Sequence, residues 1–564
     1  MGSTKVTKMR TGAEILVDQL LAHQVERVFT VPGESFLDVL NALHDHTDSV
    51  RVTTCRVETG ASNMAEAYGK ATGKPGICMV TRGPGATHAS IGVHTAAHDG
   101  TPMLLFIGQV ARRMRGRGAF QEVDYNQMFG GMAKWTVELD DPSRIPEQIA
   151  RAFSVATSGT PGPVIISMPE DVLSGKADVP DAVRYSHVQP SAGREEVLRF
   201  GELLTYAKRP LMVVGCGSWA ADDCMALAQF ARTFKVPVAA AFRSQDAFDN
   251  DDDLYVGDLG LGQNPKLSQR LRESDLVIAL GTQLEENVTK GYTLIGIPTA
   301  EMKLVHIHPN IVELGRVYQP DLAINSSPRA FLRLAVETLD EITGDWKDWA
   351  NHARIEYEAF QSTPKSIGQV NMATVMKTMR DMLPDNAVIA NGAGNYTVWL
   401  HRFFRYRQPK TQIAPTSGAM GYSVPAAIGA KLAHPGRHVV SLNGDGCFMM
   451  CSQELATAVH VGANVVFIVV NNGMLGTIRM HQERHFPGRV IATDLVNPDF
   501  VTFAKSFGVA GERIDKTELF EAAFRRALDA EAPYLLEIAI DPEALTPLQS
   551  LTEIRDAGFA AARN

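Results

Sequence analysis

The chain has 564 residues, too long for one hydrophobic core and of a length that suggests three or four domains. Hydrophobic residues make up 45% and charged residues 21%, an ordinary globular composition that excludes a disordered or fibrous protein. With 54 basic against 63 acidic residues the net charge is −9, which argues against a nucleic-acid binder or a polybasic membrane binder.

At the start, Lys5, Lys8 and Arg10 are followed by Glu14, Asp18 and Gln19 set among apolar residues. That pattern predicts an amphipathic helix, not a signal-peptide core. Short apolar runs then alternate with helical patterns to the end of the chain, which predicts parallel sheets covered by helices. A theme of apolar strand, glycine-rich turn and helix recurs at 76–85, 211–217 and 438–446. Three doubly wound α/β domains are the simplest account, over 1–180, 191–345 and 365–564. The stretch 174–194 is polar, carries Pro180 and Pro190, and reads as the first linker. The stretch 345–368, with Trp346, Trp349, Pro364 and Gly368, reads as the second. Apolar runs such as 465–470 are strand length and too short to span a bilayer. The six cysteines, Cys55, Cys78, Cys216, Cys224, Cys447 and Cys451, are too few and scattered for a disulfide scaffold. A soluble cytoplasmic protein is expected, with no nucleic-acid or membrane partner. Cys447 and Cys451 lack a second pair at zinc spacing and read as small residues on a buried helix.

The sharpest pattern lies in the last third. A strand at 439–443 runs into the turn Gly444-Asp445-Gly446, then a helical stretch at 448–461 and a strand at 464–470 that ends in Asn471 and Asn472. Between Gly446 and Asn471 lie 24 residues. In a parallel βαβ unit both strands finish at the same sheet edge, so Asp445 and Asn472 come side by side where α/β folds bind ligands. One carboxylate and one amide oxygen suit Mg²⁺, which completes its octahedron with phosphate and water. The glycines let backbone N–H groups approach an anion. The pattern reads as Mg²⁺ joining the protein to a diphosphate, with a purely structural pair of turns as the alternative.

This combination of Gly-Asp-Gly, 24 residues and Asn-Asn resembles the signature of the thiamine-diphosphate (ThDP) enzymes. The resemblance implies three domains: pyrimidine-binding, central Rossmann-like, and diphosphate-binding. It implies the Met474 carbonyl as a third metal ligand, and Leu475, Gly476 and Thr477 over the diphosphate. Gly394, Asn395 and Tyr396 sit where the family cradles phosphate, an ordinary glycine turn being the alternative. Gly418 and Met420 match the place where a bulky apolar side chain bends the cofactor, plain core packing being the alternative. The cofactor's aminopyrimidine must be held by a carboxylic acid, and an apolar pocket suits such a group. The candidate is Glu58, which opens a stretch of small residues; Glu66 competes and is expected on the solvated side. Pro32 in the turn 31–34 and Pro84 in the loop 81–87 resemble the first domain's cofactor turns, and 160–163 with 168–172 resembles its last strand and exit. In this family the acid and the metal site of one active centre come from different subunits, which implies a homodimer or homotetramer.

Within the family, Gly118 to Glu122 followed by Lys134 resembles the acetolactate synthase large subunit and its relatives. There Phe120 and Gln121 would border the substrate and Lys134 would help hold an anion. Some features depart from that branch. Val57 replaces a His, and His481 stands at the place of a Trp. Asn287 replaces the Arg that captures the carboxylate of a second oxo acid, which removes a charge-assisted contact. Gln283 and His308 replace an Arg and an Asp associated with FAD, and the turn at Gly215-Cys216-Gly217 is a weak dinucleotide echo. The implied activity is decarboxylation and/or carboligation of 2-oxo acids with an altered acceptor site. The alternatives are a non-ligating decarboxylase, an aldehyde carboligase, or a flavin-dependent oxidoreductase of pyruvate-oxidase type. A non-catalytic paralogue is disfavoured by the intact Glu58, Asp445 and Asn472. His88, His94, His98 and His481, with Arg479, are candidate proton shuttles. The branch also implies a small regulatory subunit and a place in branched-chain amino acid biosynthesis.

Overall fold

The computed structural model describes residues 9–215, 219–340 and 344–563. Lys5, Lys8, Cys216 and Gly217 lie outside the described residues. Two compact units are present, 1–188 with 428–433, and 189–427 with 434–564.

The first unit is built on six parallel strands: β1 (Arg27–Thr30), β2 (Arg51–Thr54), β3 (Gly76–Val80), β4 (Met103–Gln109), β5 (Trp135–Glu138) and β6 (Pro163–Pro169). Their order across the sheet is β2-β1-β3-β4-β6-β5. Every residue of β3 and β4 is buried, as a sheet covered on both faces requires, which is why these strands read as unbroken apolar runs. Three helices matter below: α1 (Glu58–Thr72), α2 (Pro84–Asp99) and α3 (Ile145–Thr157). α1 and α2 cross so closely that a Cβ on Gly92 would stand 2.5 Å from the Ser62 side chain. The run of small residues in α1 is the sequence cause of that approach. The first predicted helix begins at Gly12, with Thr11 and Glu14 forming a capping box.

The second unit carries two sheets. The middle one comprises β7 (Pro210–Val214), β8 (Val238–Ala240), β9 (Tyr255–Asp258), β10 (Leu276–Leu280), β11 (Lys303–His308) and β12 (Leu322–Asn325). Its order, β9-β8-β7-β10-β11-β12, is that of dinucleotide-binding doubly wound sheets. The last sheet comprises β13 (Val388–Asn391), β14 (Gln412–Ile413), β15 (Val439–Gly444), β16 (Val466–Asn471), β17 (Ala510–Ile514) and β18 (Tyr534–Ala539), ordered β14-β13-β15-β16-β18-β17. All pairings in both sheets are parallel. The helices that bear on the site here are α4 (Tyr396–Phe403), α5 (Asp445–Met449), α6 (Leu455–His460), α7 (Gly476–His485) and α8 (Leu551–Ala562).

Two local expectations change. The stretch 345–368 is not a bare linker: it is helical over Lys347–Phe360. Trp346 donates to the Lys235 carbonyl (3.0 Å) and Trp349 to the Pro210 carbonyl (3.0 Å), so both indoles are spent on the middle domain. The helix expected over 448–461 is broken into α5, a 3-10 turn at Ser452–Glu454, and α6.

Candidate cofactor and catalytic site

In the last sheet the winding reverses between β13 and β15, and a crevice opens at the carboxyl ends of the strands there. It holds a cavity of about 260 Å³. Gly394, Asn395 and Tyr396 after β13 line it, with Gly418 and Met420 opposite. So do Gly444, Asp445 and Gly446 at the end of β15, and Asn472, Met474, Leu475, Gly476 and Thr477 beyond β16.

Register explains the meeting of Asp445 and Asn472. Gly444 pairs with Val470, so Asp445 comes level with Asn471, the last residue of β16, one position before Asn472. Asp445 is buried. Its Oδ1 accepts from the Gly446 N–H (2.8 Å), and its Oδ2 from the Gly473 N–H (2.9 Å) and Asn497 Nδ2 (2.8 Å). Burial raises its pKa, and these donors oppose the rise. Asn471 turns away to donate to Glu537 (2.9 Å), which leaves Asn472 as the member of the pair on the cavity wall. Asn472 Oδ1 accepts weakly from the Met474 N–H (3.3 Å). The Met474 carbonyl accepts from the Gly476 N–H (3.0 Å) and keeps a second lone pair.

The glycines are spatially required. A Cβ on Gly444 would stand 3.0 Å from the Tyr396 ring, and one on Gly446 would stand 2.8 Å from Leu475. The tip of Met420 lies 3.9 Å from that second point, which puts the expected wedge beside the Gly-Asp-Gly turn. Thr477 donates to Asn395 (2.9 Å), tying the start of α7 to the turn after β13. Two oxygen ligands, close backbone and apolar walls such as Met420, Leu475 and Ile478 together fit a metal-bound diphosphate carrying an aromatic ring.

The first unit presents the acid. Glu58 starts α1, and its side chain is 12% exposed. Its Oε2 lies 3.0 Å from His88 Nδ1 on α2. Its Oε1 is 3.4 Å from where a Cβ on Gly85 would be, so glycine there keeps space beside the carboxyl. The turns after β1 and β3 meet at this point: a Cβ on Gly33 would strike Thr81 at 2.3 Å, and Ser35 and Thr81 share a hydrogen bond of 3.0 Å. Pro32 and Pro84 lie exposed in these two turns. Gln121 has a positive φ of 63° and packs against Gly83, while Phe120 is 74% exposed.

One expectation is corrected, and two further candidates are placed. Glu66 is fully buried, not solvated: it accepts from Thr101 Oγ1 (2.6 Å) and lies 3.4 Å from Lys70, which also pairs with Asp99. Lys134 is engaged with the backbone. Its ammonium donates to the carbonyls of Ser158 (2.6 Å) and Thr160 (2.8 Å), sealing the exit of α3. Desolvation of that ammonium lowers its pKa to about 8, although the residue as a whole is exposed. His481 stands off the cavity wall, its ring stacked over His485 at 6.2 Å. Burial, then Arg484 and His485, lower its pKa.

Asn497 is the residue that sequence reasoning missed. It bridges Asp445 and Asn471 (2.8 and 3.0 Å), and no local pattern marks it. In the middle domain, His308 is buried and accepts the Asn310 N–H in its own turn (3.1 Å), and burial lowers its pKa to about 4. Gln283 and His308 thus supply neither the cation nor the acid expected for FAD at those two positions. These residues do not fit that group.

Comparison with known proteins gives three family matches. They are "Thiamine pyrophosphate enzyme, N-terminal TPP binding domain" over 10–128, the central domain of the same enzymes over 198–334, and their C-terminal TPP binding domain over 392–538. The chain is 31% identical to the probable acetolactate synthase large subunit of Methanocaldococcus jannaschii, over 95% of this chain and 93% of that protein. It is 31% identical to the acetolactate synthase isozyme 2 large subunit of Escherichia coli, over 94% and 95%. It is 32% identical to the acetolactate synthase large subunit of Parasynechococcus marenigrum, over 94% and 87%.

Proposed function

We propose, given that this chain belongs to the thiamine pyrophosphate enzyme family, that it is a ThDP- and Mg²⁺-dependent enzyme acting on 2-oxo acids. It decarboxylates a 2-oxo acid and passes the remaining fragment to a carbonyl acceptor, in the manner of an acetolactate synthase with a changed acceptor site. The observation that carries this reading is the pair Asp445 and Asn472, both lining the cavity just beyond the adjoining ends of β15 and β16.

When bound, ThDP supplies a nucleophilic ring carbon and an electron sink for loss of carbon dioxide. The protein's part is to bind, orient and move protons. Asp445 and Asn472, with the Met474 carbonyl, would hold Mg²⁺ and through it the diphosphate. Gly444 and Gly446 admit the phosphates to the backbone, and Met420 would set the bend of the cofactor. Glu58 would hold a proton against the aminopyrimidine ring. Its Oε2 is engaged by His88, so Oε1, on the side that Gly85 keeps open, is the oxygen for that role. Gln121 and Phe120 border the substrate by the same resemblance.

The acceptor reading rests on Asn287. An amide at this place offers no charge for a second carboxylate, so an uncharged aldehyde competes better than in the branch at large. Glu58 and Asp445 of one centre come from two subunits in this reading, which makes the working enzyme a homodimer or homotetramer. The described cysteines form no disulfide with one another, which fits a reducing cytoplasmic setting.

The test is reconstitution with ThDP and Mg²⁺ against a panel of 2-oxo acids, with and without aldehydes. Carbon dioxide and coupled products are scored separately. Carbon dioxide release that aldehydes accelerate, with an aldehyde-derived ketol as product, is expected. No turnover of any 2-oxo acid would overturn the proposal. Coupling to a second oxo acid in preference to aldehydes would overturn the acceptor reading alone. Protein that purifies yellow, with a flavin that substrate reduces, would favour the oxidase alternative.

A further inference from the structure

Arg243 belongs to none of the motifs above. It follows β8 on the middle domain and is buried, with 8% of its surface exposed. Its φ of 59° is a left-handed conformation that a non-glycine residue adopts only when its surroundings impose it. The guanidinium donates to the Gly392 carbonyl (2.8 Å) and to the Pro415 carbonyl, and it lies 4.8 Å from the Phe242 ring centre. Both carbonyls belong to cavity-forming segments. Gly392 follows β13 directly, and Ala393 and Gly394 line the cavity. The Pro415 carbonyl also accepts the Gly418 N–H (2.9 Å), closing the turn that presents Gly418 and Met420.

A trans peptide points its C=O and N–H in opposite directions. Holding the Gly392 carbonyl on the Arg243 side therefore turns the Ala393 N–H to the other side, toward the wall of which Ala393 is part. A carbonyl released into the cavity would instead meet the phosphates with its negative end. Asn391 Nδ2 also donates to the Gly392 oxygen (3.0 Å), so that carbonyl has a second tether, whereas the guanidinium spans both segments. The planar fork of Arg can hold two carbonyls at fixed geometry, which a Lys ammonium does poorly. The charge is also felt in the cavity wall: burial raises the pKa of Tyr396, and Arg243 opposes that rise.

We propose that Arg243 is a positioning residue for the diphosphate subsite, clamping the Gly392 and Pro415 carbonyls away from the cavity and placing a buried positive charge behind its phosphate wall. This inference rests on the reading that the cavity takes ThDP.

The experiment compares R243M and R243K with the wild-type protein. Each is titrated, in Mg²⁺ buffer, with ThDP and separately with inorganic diphosphate. Binding is followed by intrinsic tryptophan fluorescence, to which Trp399 on the cavity wall contributes. The expected result is that R243M weakens both ligands by one common factor of tenfold or more. R243K should fall between, and turnover at saturating ThDP should stay within threefold of wild type. Wild-type affinity for inorganic diphosphate in R243M would overturn the proposal, as would a loss for ThDP that inorganic diphosphate does not share. Should R243M fail to fold, a folded R243K with undiminished affinity for both ligands would overturn it. Wild-type protein that binds neither ligand would instead overturn the functional reading on which the inference rests.

Discussion

The first and last sheets share one strand order, yet the carboxyl groups beyond their strand ends sit in opposite settings. In the last domain the carboxylate of Asp445 is buried and fixed by three donors. In the first, Glu58 meets His88 through one oxygen, and Gly85 keeps space beside the other. A carboxylate fixed in place by donors is positioned to meet a cation with its remaining lone pairs. A carboxyl with room for a new partner suits proton exchange. The topology locates the crevice, and the side chains at the strand ends decide whether it grips or reacts.

That contrast can be broken in order of expected effect. Glu58→Gln should lower kcat by about 10²–10⁴-fold while ThDP affinity stays within a few fold, as measured by steady-state kinetics and fluorescence titration. Equal losses in both would erase the division of labour. Asp445→Asn should act the other way, raising the Kd for ThDP in Mg²⁺ by roughly 30-fold or more, because a buried charge then loses its partner. Asn497→Ala leaves the ligands in place and removes one support of Asp445. A smaller loss of Mg²⁺ affinity, about 10-fold, is expected from metal titration.

The smallest effect concerns pH. Each unit buries a histidine whose pKa is lowered, first by desolvation: His23 in the first unit, to about 4, and His401 in the second, to about 3. A folded-state pKa below the unfolded value of 6.5 means that the unfolded chain binds more protons as pH falls. Stability is therefore lost from pH 6.5 downward, by up to about 1.4 kcal/mol per pH unit for each group. His401 contributes no ring-nitrogen hydrogen bond among the described residues. His401→Leu should therefore flatten the acid slope of the second unit's unfolding and leave the first unit's slope intact, as read by denaturant titrations at pH 7 and pH 5. An unchanged slope in the second unit would show that His401 is not neutral in the fold.

What the sequence disclosed followed from how local the signal was. Gly444 to Asn472 is one βαβ unit, so spacing alone brings its ends together, and the three-sheet architecture follows from the repeated strand-turn-helix pattern. Asn497 reaches Asp445 from 52 residues away, out of a stretch without periodicity. The burial of Glu66 is not legible locally because Thr101, which donates to it, lies on another segment, although its ionic partner Lys70 is one turn on in the same helix. The hydrogen bonds of Lys134 are not legible in the sequence because the backbone carbonyls that accept them have no side-chain signature. The helix Lys347–Phe360 is hidden by its two tryptophans and by Pro364 and Gly368 just beyond it, although those indoles are what dock it.

The central claim is that the last domain grips a diphosphate through a metal held by Asp445 and Asn472. Calorimetric titration of the wild-type protein with ThDP, in Mg²⁺ and then in EDTA, tests it most directly. The account predicts tight binding in Mg²⁺ and no measurable binding in EDTA. Equal affinity in the two buffers would contradict it.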